Sequence, residues 1–214
     1  MRTLAKRLKS KPFIGDESEG FVIDRVRDDF VQARFVERME YDDTVTDPFG
    51  KELSFHRVEF RQCEFRASTE SPGLELVDAP RSVQALVSRL AEASEFSLAI
   101  SPLSVDVLAW ATSVQKLLNL QGVVESLQIG SLELGPGVMA KAVIKGSTDV
   151  LGSGAALIEG RRHVIEKVQL KFPGSKRTNL LLTNVGVLKV EAERPEEIVS
   201  TVRQALASLL SKRP

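Results

Sequence analysis

The chain has 214 residues, of which 43% are hydrophobic and 27% charged, and this composition excludes disorder of the whole chain. Its formal net charge is zero, so the chain as a whole is not a strongly basic nucleic-acid binder. Its single cysteine cannot form an intramolecular disulfide, and no apolar run approaches the roughly 20 residues of a membrane span. We therefore expect a cytoplasmic protein that does not enter a membrane.

Charge is unevenly distributed over the first 60 residues. Residues 1–12 carry five basic residues and no acid, whereas residues 13–60 carry thirteen acids and six bases. Within the first segment only Leu4 and Leu8 recur at helical spacing. We therefore predict that residues 1–12 form a basic N-terminal arm that contributes little to the core. The charge asymmetry is typical either of ordinary solvated faces or of a surface for an electrostatic partner.

A first hairpin is predicted to turn at residues 47–50, whose sequence Asp-Pro-Phe-Gly is typical of a β-turn. The strand that follows does not fit a sheet with one buried face. Val58 and Phe60 lie on one side of it, and Cys63 and Phe65 lie on the other. A β-bulge near Arg61 and Gln62 would bring them to the same side.

Three segments share the order of a short apolar strand, a proline and an amphipathic helix. They are residues 74–90, 98–117 and 187–209. In each helix the apolar residues recur at intervals that place them on one stripe. Proline suits the first helical turn, because its missing N–H would have no partner there.

The remaining second half is predicted to consist of antiparallel strands. Apolar and basic residues alternate along residues 138–145 and 164–172, as in a sheet with one face on the core and one in water. Turns are predicted at residues 135–137 and 173–176, and residues 152–157 are interpreted as a flexible connector between hairpins. The fold class is therefore α+β, with antiparallel sheets and helices packed on one face.

The order of elements indicates an internal duplication of a helix, four-strand and helix unit. The boundaries are 1–12 for the arm, 13–94 for the first repeat and 95–214 for the second. The two repeats could also form one continuous domain. This interpretation depends on the order of the predicted elements and on the positions of prolines and turns, and not on residue identity between the two halves.

Catalytic and metal-binding residues are sparse. His56 and Cys63 are seven positions apart in one strand and would face opposite sides, and His163 is the only other histidine. An acidic cluster, residues 40–47, lacks the spacing of a calcium loop and is interpreted as a solvated loop. We therefore expect no catalytic group, metal centre or cofactor.

A basic surface is the positive signal for function. If the helices cover one face of the second-half sheet, lysines line the opposite face and a basic turn extends beyond the strands. The predicted partner-binding residues are Lys141, Lys145, Arg161, Arg162, His163, Lys167, Lys171, Lys176 and Arg177.

This surface favours a non-enzymatic binding protein or adaptor subunit of a protein complex. Its partner would be another protein, a second copy of the chain, or a nucleic-acid backbone. Two alternatives stay open. One is a small-molecule-binding domain with a pocket between the helix at residues 103–119 and the sheet. The other is an enzyme whose carboxylates are dispersed and form no motif.

Overall fold

The structure is a computed structural model that describes residues 1–172 and 178–211. The chain divides into two compact units, Met1–Ser101 and Pro102–Pro214, a boundary seven residues after the one proposed from the sequence. The described residues contain helices and two antiparallel sheets. This confirms the α+β fold class.

The first unit is a four-stranded antiparallel sheet with two helices. Its sheet order, β1-β2-β3-β4, follows the chain. The elements are α1 (Arg2–Lys9), β1 (Glu19–Val26), β2 (Phe30–Thr46), β3 (Glu52–Ser68), β4 (Leu74–Val77) and α2 (Gln84–Ala93).

The predicted N-terminal arm is wrong, because these residues form α1 and belong to the core. Leu4, Ala5 and Leu8 are buried and pack with the sheet residues and with α2. The five basic residues misled the interpretation because they occupy the polar face of an amphipathic helix. Arg7, for example, donates to the Ser94 carbonyl at 2.6 Å and pairs with Glu95 at 3.0 Å.

The second unit is a five-stranded antiparallel sheet whose order, β6-β5-β7-β8-β9, includes one crossover. The elements are α3 (Val107–Leu118), β5 (Val123–Gly135), β6 (Val138–Lys145), α4 (Leu151–Ile158), β7 (Val164–Phe172), β8 (Thr178–Thr183), β9 (Leu188–Glu191) and α5 (Pro195–Leu210).

Side chains fill the space between α3 and the second sheet. Trp110 and Val114 of α3 are buried in one cluster with the sheet residues and with Leu206 of α5. The indole N–H of Trp110 donates to the Val202 carbonyl at 3.1 Å, which ties α3 to α5. A packed core therefore occupies the place where the sequence left room for a ligand pocket.

The strand, proline and helix order is found at two of the three predicted places, before α2 and before α5. Residues 98–100 form no strand, since this short apolar triplet has no neighbouring strand to complete its hydrogen bonds. The helix after it starts at Val107 and is capped by Asp106, whose carboxylate accepts from two backbone N–H groups at 3.0 Å. Only Pro195 lies in a first helical turn.

Residues 152–157, predicted as a flexible connector, belong to α4. Gly154 lets this helix approach β5 closely, because a Cβ at this position would lie 2.4 Å from Leu127 Cδ2. With α4 inserted and β7 placed on the far side of β5, the second sheet has a different strand order from the first. The structure therefore does not confirm the duplication.

Candidate interaction site

Strands β2 and β3 form one long, regular hairpin. Each has 17 residues, and they pair without a register shift from Phe30 opposite Ser68 to Thr46 opposite Glu52. The bulge predicted near Arg61 and Gln62 is therefore wrong. The apolar residues lie on two faces because the strand changes its surroundings along its length, and not because its register slips.

Only the inner half of this hairpin belongs to the four-stranded sheet. β1 pairs with β2 over residues 31–37, and β4 pairs with β3 over residues 64–67. Residues 39–59 continue beyond these neighbours as two strands and a turn, here named the ribbon. Its eight paired positions span about 27 Å at the usual rise of a β-strand.

The turn of the ribbon is well defined. Gly50 N–H donates to the Asp47 carbonyl at 3.0 Å, and Gly50 has a φ of +85°, which suits glycine. The Asp47 carboxylate accepts from the backbone N–H groups of Phe49 and Lys51 at 2.8 and 2.9 Å. This arrangement holds the Phe49 side chain outward, where it is 95% exposed.

Large apolar side chains of the ribbon are exposed. Val45, Leu53 and Phe55 share the face that carries the core farther down the hairpin, and they are 54%, 41% and 52% exposed. Val58 lies on the other face. Phe60, which follows just outside the ribbon, lies on that face too, and its ring meets that of Phe13 edge-on at 6.0 Å. Because a lone two-stranded ribbon is marginally stable in water, exposed apolar surface on it indicates a contact site.

Charged side chains of the ribbon pair across its strands. His56 Nδ1 lies 3.1 Å from the Asp42 carboxylate, and Arg57 lies 3.3 Å from Asp43 and 3.2 Å from Glu59. The Arg57 guanidinium also lies over the Tyr41 ring, 5.4 Å from its centroid. The acidic cluster predicted from the sequence is thus divided between two faces, and its members contact basic groups or the turn backbone.

The single cysteine is poorly placed for nucleophilic chemistry. Cys63 is buried on the core face, and burial raises the pKa of its thiol. His56 is exposed on the opposite face of the same strand. The thiol and the imidazole therefore do not form a catalytic pair.

The second sheet has a polar face opposite its helices. Strand alternation places on it the side chains of Lys141, Lys145, Lys167, Lys171, Lys189 and Glu191. Glu125 and Glu166, which lie at register shifts of the β5–β7 pairing, contact lysines of this face.

Two of these lysines are engaged by glutamates. Lys141 lies 2.7 Å from Glu166, and Lys171 lies 2.8 Å from Glu125. Hydrogen bonds from Lys141 and from Gln128 hold the pKa of Glu166 below its ordinary value. The predicted basic face is therefore a face of mixed charge.

Three other predicted residues lie off this face. Arg161, Arg162 and His163 are in the loop between α4 and β7. The Arg161 guanidinium donates to the Leu157 carbonyl of α4, and His163 Nδ1 lies 2.9 Å from the Arg161 carbonyl. Lys176 and Arg177 lie outside the described residues. The structure thus brings together four of the nine predicted residues, all of them lysines of β6 and β7.

Neither a metal-binding cluster nor a deep pocket is found among the described residues. Within residues 1–172 and 178–211, no group of three or more His, Cys, Asp and Glu side chains is arranged to hold a metal ion. A small open depression in the first unit is lined by Lys11, Glu19, Arg89 and Glu92, whose charges neutralise one another in ion pairs. No helix in the described part of the chain has the length and apolarity to span a bilayer.

Comparisons with known proteins give no identification. No protein-family model matches the chain, and no curated protein sequence matches it.

Sequence reasoning missed the ribbon. The signal was the same mismatch that prompted the predicted bulge, namely that Val58 and Phe60 fall on the opposite side from Cys63 and Phe65. A strand that buries one face near one end and exposes apolar residues on both faces near the other end has left its sheet.

Proposed function

We propose that this chain is a non-enzymatic binding or adaptor protein that contacts a protein partner through the ribbon of its first unit. The observation that carries the proposal is the ribbon's exposed apolar surface, with Phe49 at the tip and Phe55 on one face. The single cysteine, Cys63, is buried, and its thiol contacts the backbone carbonyl of Glu64 and not a basic side chain among the described contacts. These features favour a binding role over a catalytic one. A single unpaired cysteine also favours a reducing compartment such as the cytoplasm.

The chemistry of the ribbon favours a protein over a nucleic acid. Its β2 strand carries Glu40, Asp42 and Asp43, which would repel a phosphate backbone. Exposed Phe, Val and Leu side chains interspersed with paired charges are typical of a protein interface, in which aromatic residues supply much of the binding energy.

The polar face of the second sheet supports a further contact surface. Helices of its own unit pack on the other face, and Lys145 and Lys167 form no ion pair with described residues. These two lysines would add charge complementarity to an acidic protein surface, which raises association rates more than affinity.

Site-specific photo-cross-linking tests the role of the ribbon. Benzoylphenylalanine is placed at Phe49 in one variant and at Phe96 in a matched control, since Phe96 is also exposed but lies outside the ribbon. After irradiation in the native cells, we expect discrete cross-linked proteins from Phe49 and none of them from Phe96. The same products from both positions, or none from Phe49, would contradict the proposal.

Charge reversal tests the second surface. The double variant K145E/K167E should weaken capture of the proteins identified by cross-linking, and the loss should diminish at high salt, where charge is screened. The control is K189E, which changes the charge on the same face at its far edge. Equal capture by wild type and K145E/K167E would remove the sheet face from the binding surface.

A further inference from the structure

The outer edge of β3 is unpaired over most of its length. β4 covers residues 64–67, so the edge is open over residues 52–63. It has no proline and no bulge, two of the devices that prevent a strand edge from pairing with another chain. Apolar and polar side chains alternate over residues 52–56 and again over residues 57–61, and the apolar ones change face between Phe55 and Val58.

Hydrogen-bond directions show which residues offer backbone groups at this edge. Ser68 N–H donates to the Gly73 carbonyl, away from β2, and Arg38 N–H donates to the Ser18 carbonyl, away from β3. In an antiparallel ladder this direction alternates along each strand. Because the register is unbroken, the even-numbered residues 54–62 direct their N–H and C=O groups outward. A second strand can therefore bond to this edge only if the residues whose N–H and C=O groups face β3 lie opposite these even-numbered residues.

Charge narrows the registers open to a second copy of the same edge. With a twofold axis through Arg57 or through Glu59, like charges would meet. With the axis through Val58, Arg57 of each copy lies opposite Glu59 of the other, and outward-facing residues meet. This register pairs residues 53–63, which all lie within the open edge, and brings the turn of each ribbon to the end of β4 in the other copy, where Glu64 pairs with Val77. An axis through Phe60, which would set Glu59 opposite Arg61, would pair only residues 57–63 within the open edge.

The free edge of β2 behaves differently. Every twofold register centred on residues 40–43 brings acid against acid, because Glu40, Asp42 and Asp43 are close together in the sequence. Like charges directly opposite each other are destabilising. Of the two edges of the ribbon, only that of β3 is complementary to itself.

We propose that the β3 edge pairs antiparallel with the β3 edge of a second copy, about a twofold axis at Val58. The two four-stranded sheets then form one continuous sheet, and the exposed apolar faces of the two ribbons become neighbours. This inference rests on the proposed function, since it names a second copy as the partner of the ribbon's β3 edge. The cross-linked species at Phe49 would then include a dimer of the chain.

Sedimentation of the purified full-length chain tests the inference. Wild type should sediment as a dimer that dissociates on dilution. The R57E variant sets two acidic side chains opposite each other across the twofold axis, and the E59R variant sets two basic side chains there. Each variant alone should therefore associate roughly tenfold or more weakly than wild type. Mixed in equal amounts, R57E and E59R place an acid opposite a base at both pairs of positions wherever a copy of one variant meets a copy of the other.

The mixed dimer has opposite charges at both pairs of positions. In it, the acid at position 57 of the R57E copy lies opposite the base at position 59 of the E59R copy, and Glu59 of the first copy lies opposite Arg57 of the second. Both pairs carry opposite charges, so the mixture should sediment as a heterodimer at concentrations where each variant alone is a monomer.

V58P is an independent variant. Proline at position 58 removes an N–H that faces outward and leaves the bonds between β2 and β3 intact. V58P should therefore be a folded monomer, with a circular dichroism spectrum like that of wild type. Wild type that stays monomeric at every concentration, a mixture that stays monomeric, or V58P that still dimerises would overturn the inference. Monomeric wild type whose Phe49 cross-links to a different protein would overturn only the inference and leave the proposed function standing.

Discussion

The two halves of the β2–β3 hairpin have the same ladder and opposite surroundings. In the inner half, Phe35 and Phe65 are buried under α1 and α2, whereas in the ribbon Val45 and Phe55, on the same face, are about half exposed. Register and strand type are therefore not what decides burial here. The helices above the face decide it, so the inner half serves folding and the outer half is left for contact.

Paired truncations test this difference most strongly. Phe65→Ala should cost about 3–5 kcal/mol in the free energy of unfolding, because it leaves a cavity under the helices. Phe55→Ala should change that free energy by no more than about 0.5 kcal/mol, as at other exposed positions. Urea denaturation of both variants checks the prediction. A large loss with Phe55→Ala would mean that the ribbon is part of the core.

The role of α1 as a cover is tested by Leu8→Ala. Leu8 is fully buried, so its truncation should cost about 2–5 kcal/mol. Lys9→Ala, which changes the exposed neighbour, is the matched control and should have little effect. If the two variants melted at the same temperature, residues 1–11 would be an arm after all.

Two glycines extend the comparison to the second unit. Gly154→Ala should cost about 1–3 kcal/mol, because its new methyl group would overlap the buried Leu127 side chain. Gly50→Ala in the ribbon turn meets no atom within 4 Å and carries only the cost of a positive φ, about 1 kcal/mol. Thermal denaturation should therefore rank Gly154→Ala as the more damaging change, and the reverse order would contradict the close packing of α4 on β5.

The smallest expected effect concerns pH. Because the pKa of Glu166 is lowered in the folded chain, its ionisation stabilises the fold above its ordinary pKa, and this contribution is lost as the pH falls through the folded value. Glu166→Gln should remove it, at a cost below about 1 kcal/mol near neutral pH for a pair that is partly exposed to solvent. The wild type and the variant should therefore become equally stable in acid, as measured by urea denaturation at pH 7 and at about pH 3. A difference that persists in acid would mean that Glu166 acts through packing and not through charge.

Much of the fold could be predicted from the sequence. The apolar stripe of α5, the Asp-Pro-Phe-Gly turn and the alternation along β7 are local patterns, and local patterns determine local structure. The role of residues 1–12 could not be predicted, because Leu4 and Leu8 are buried only by packing against a sheet whose strands are distant in the sequence. For the same reason the sequence predicted lysines on one face of the second sheet but not the glutamates that pair with Lys141 and Lys171. Each of these glutamates belongs to a different strand from the lysine that it contacts.

One variant separates the role of the ribbon in contact from a role in stability, through two measurements. V45S/F55S removes apolar surface from the ribbon without touching the buried core. We expect a urea-denaturation midpoint equal to that of wild type and loss of the cross-linked products formed through benzoylphenylalanine at Phe49. A lower midpoint would assign these side chains to the core, and unchanged cross-linking would show that the ribbon is not the contact surface.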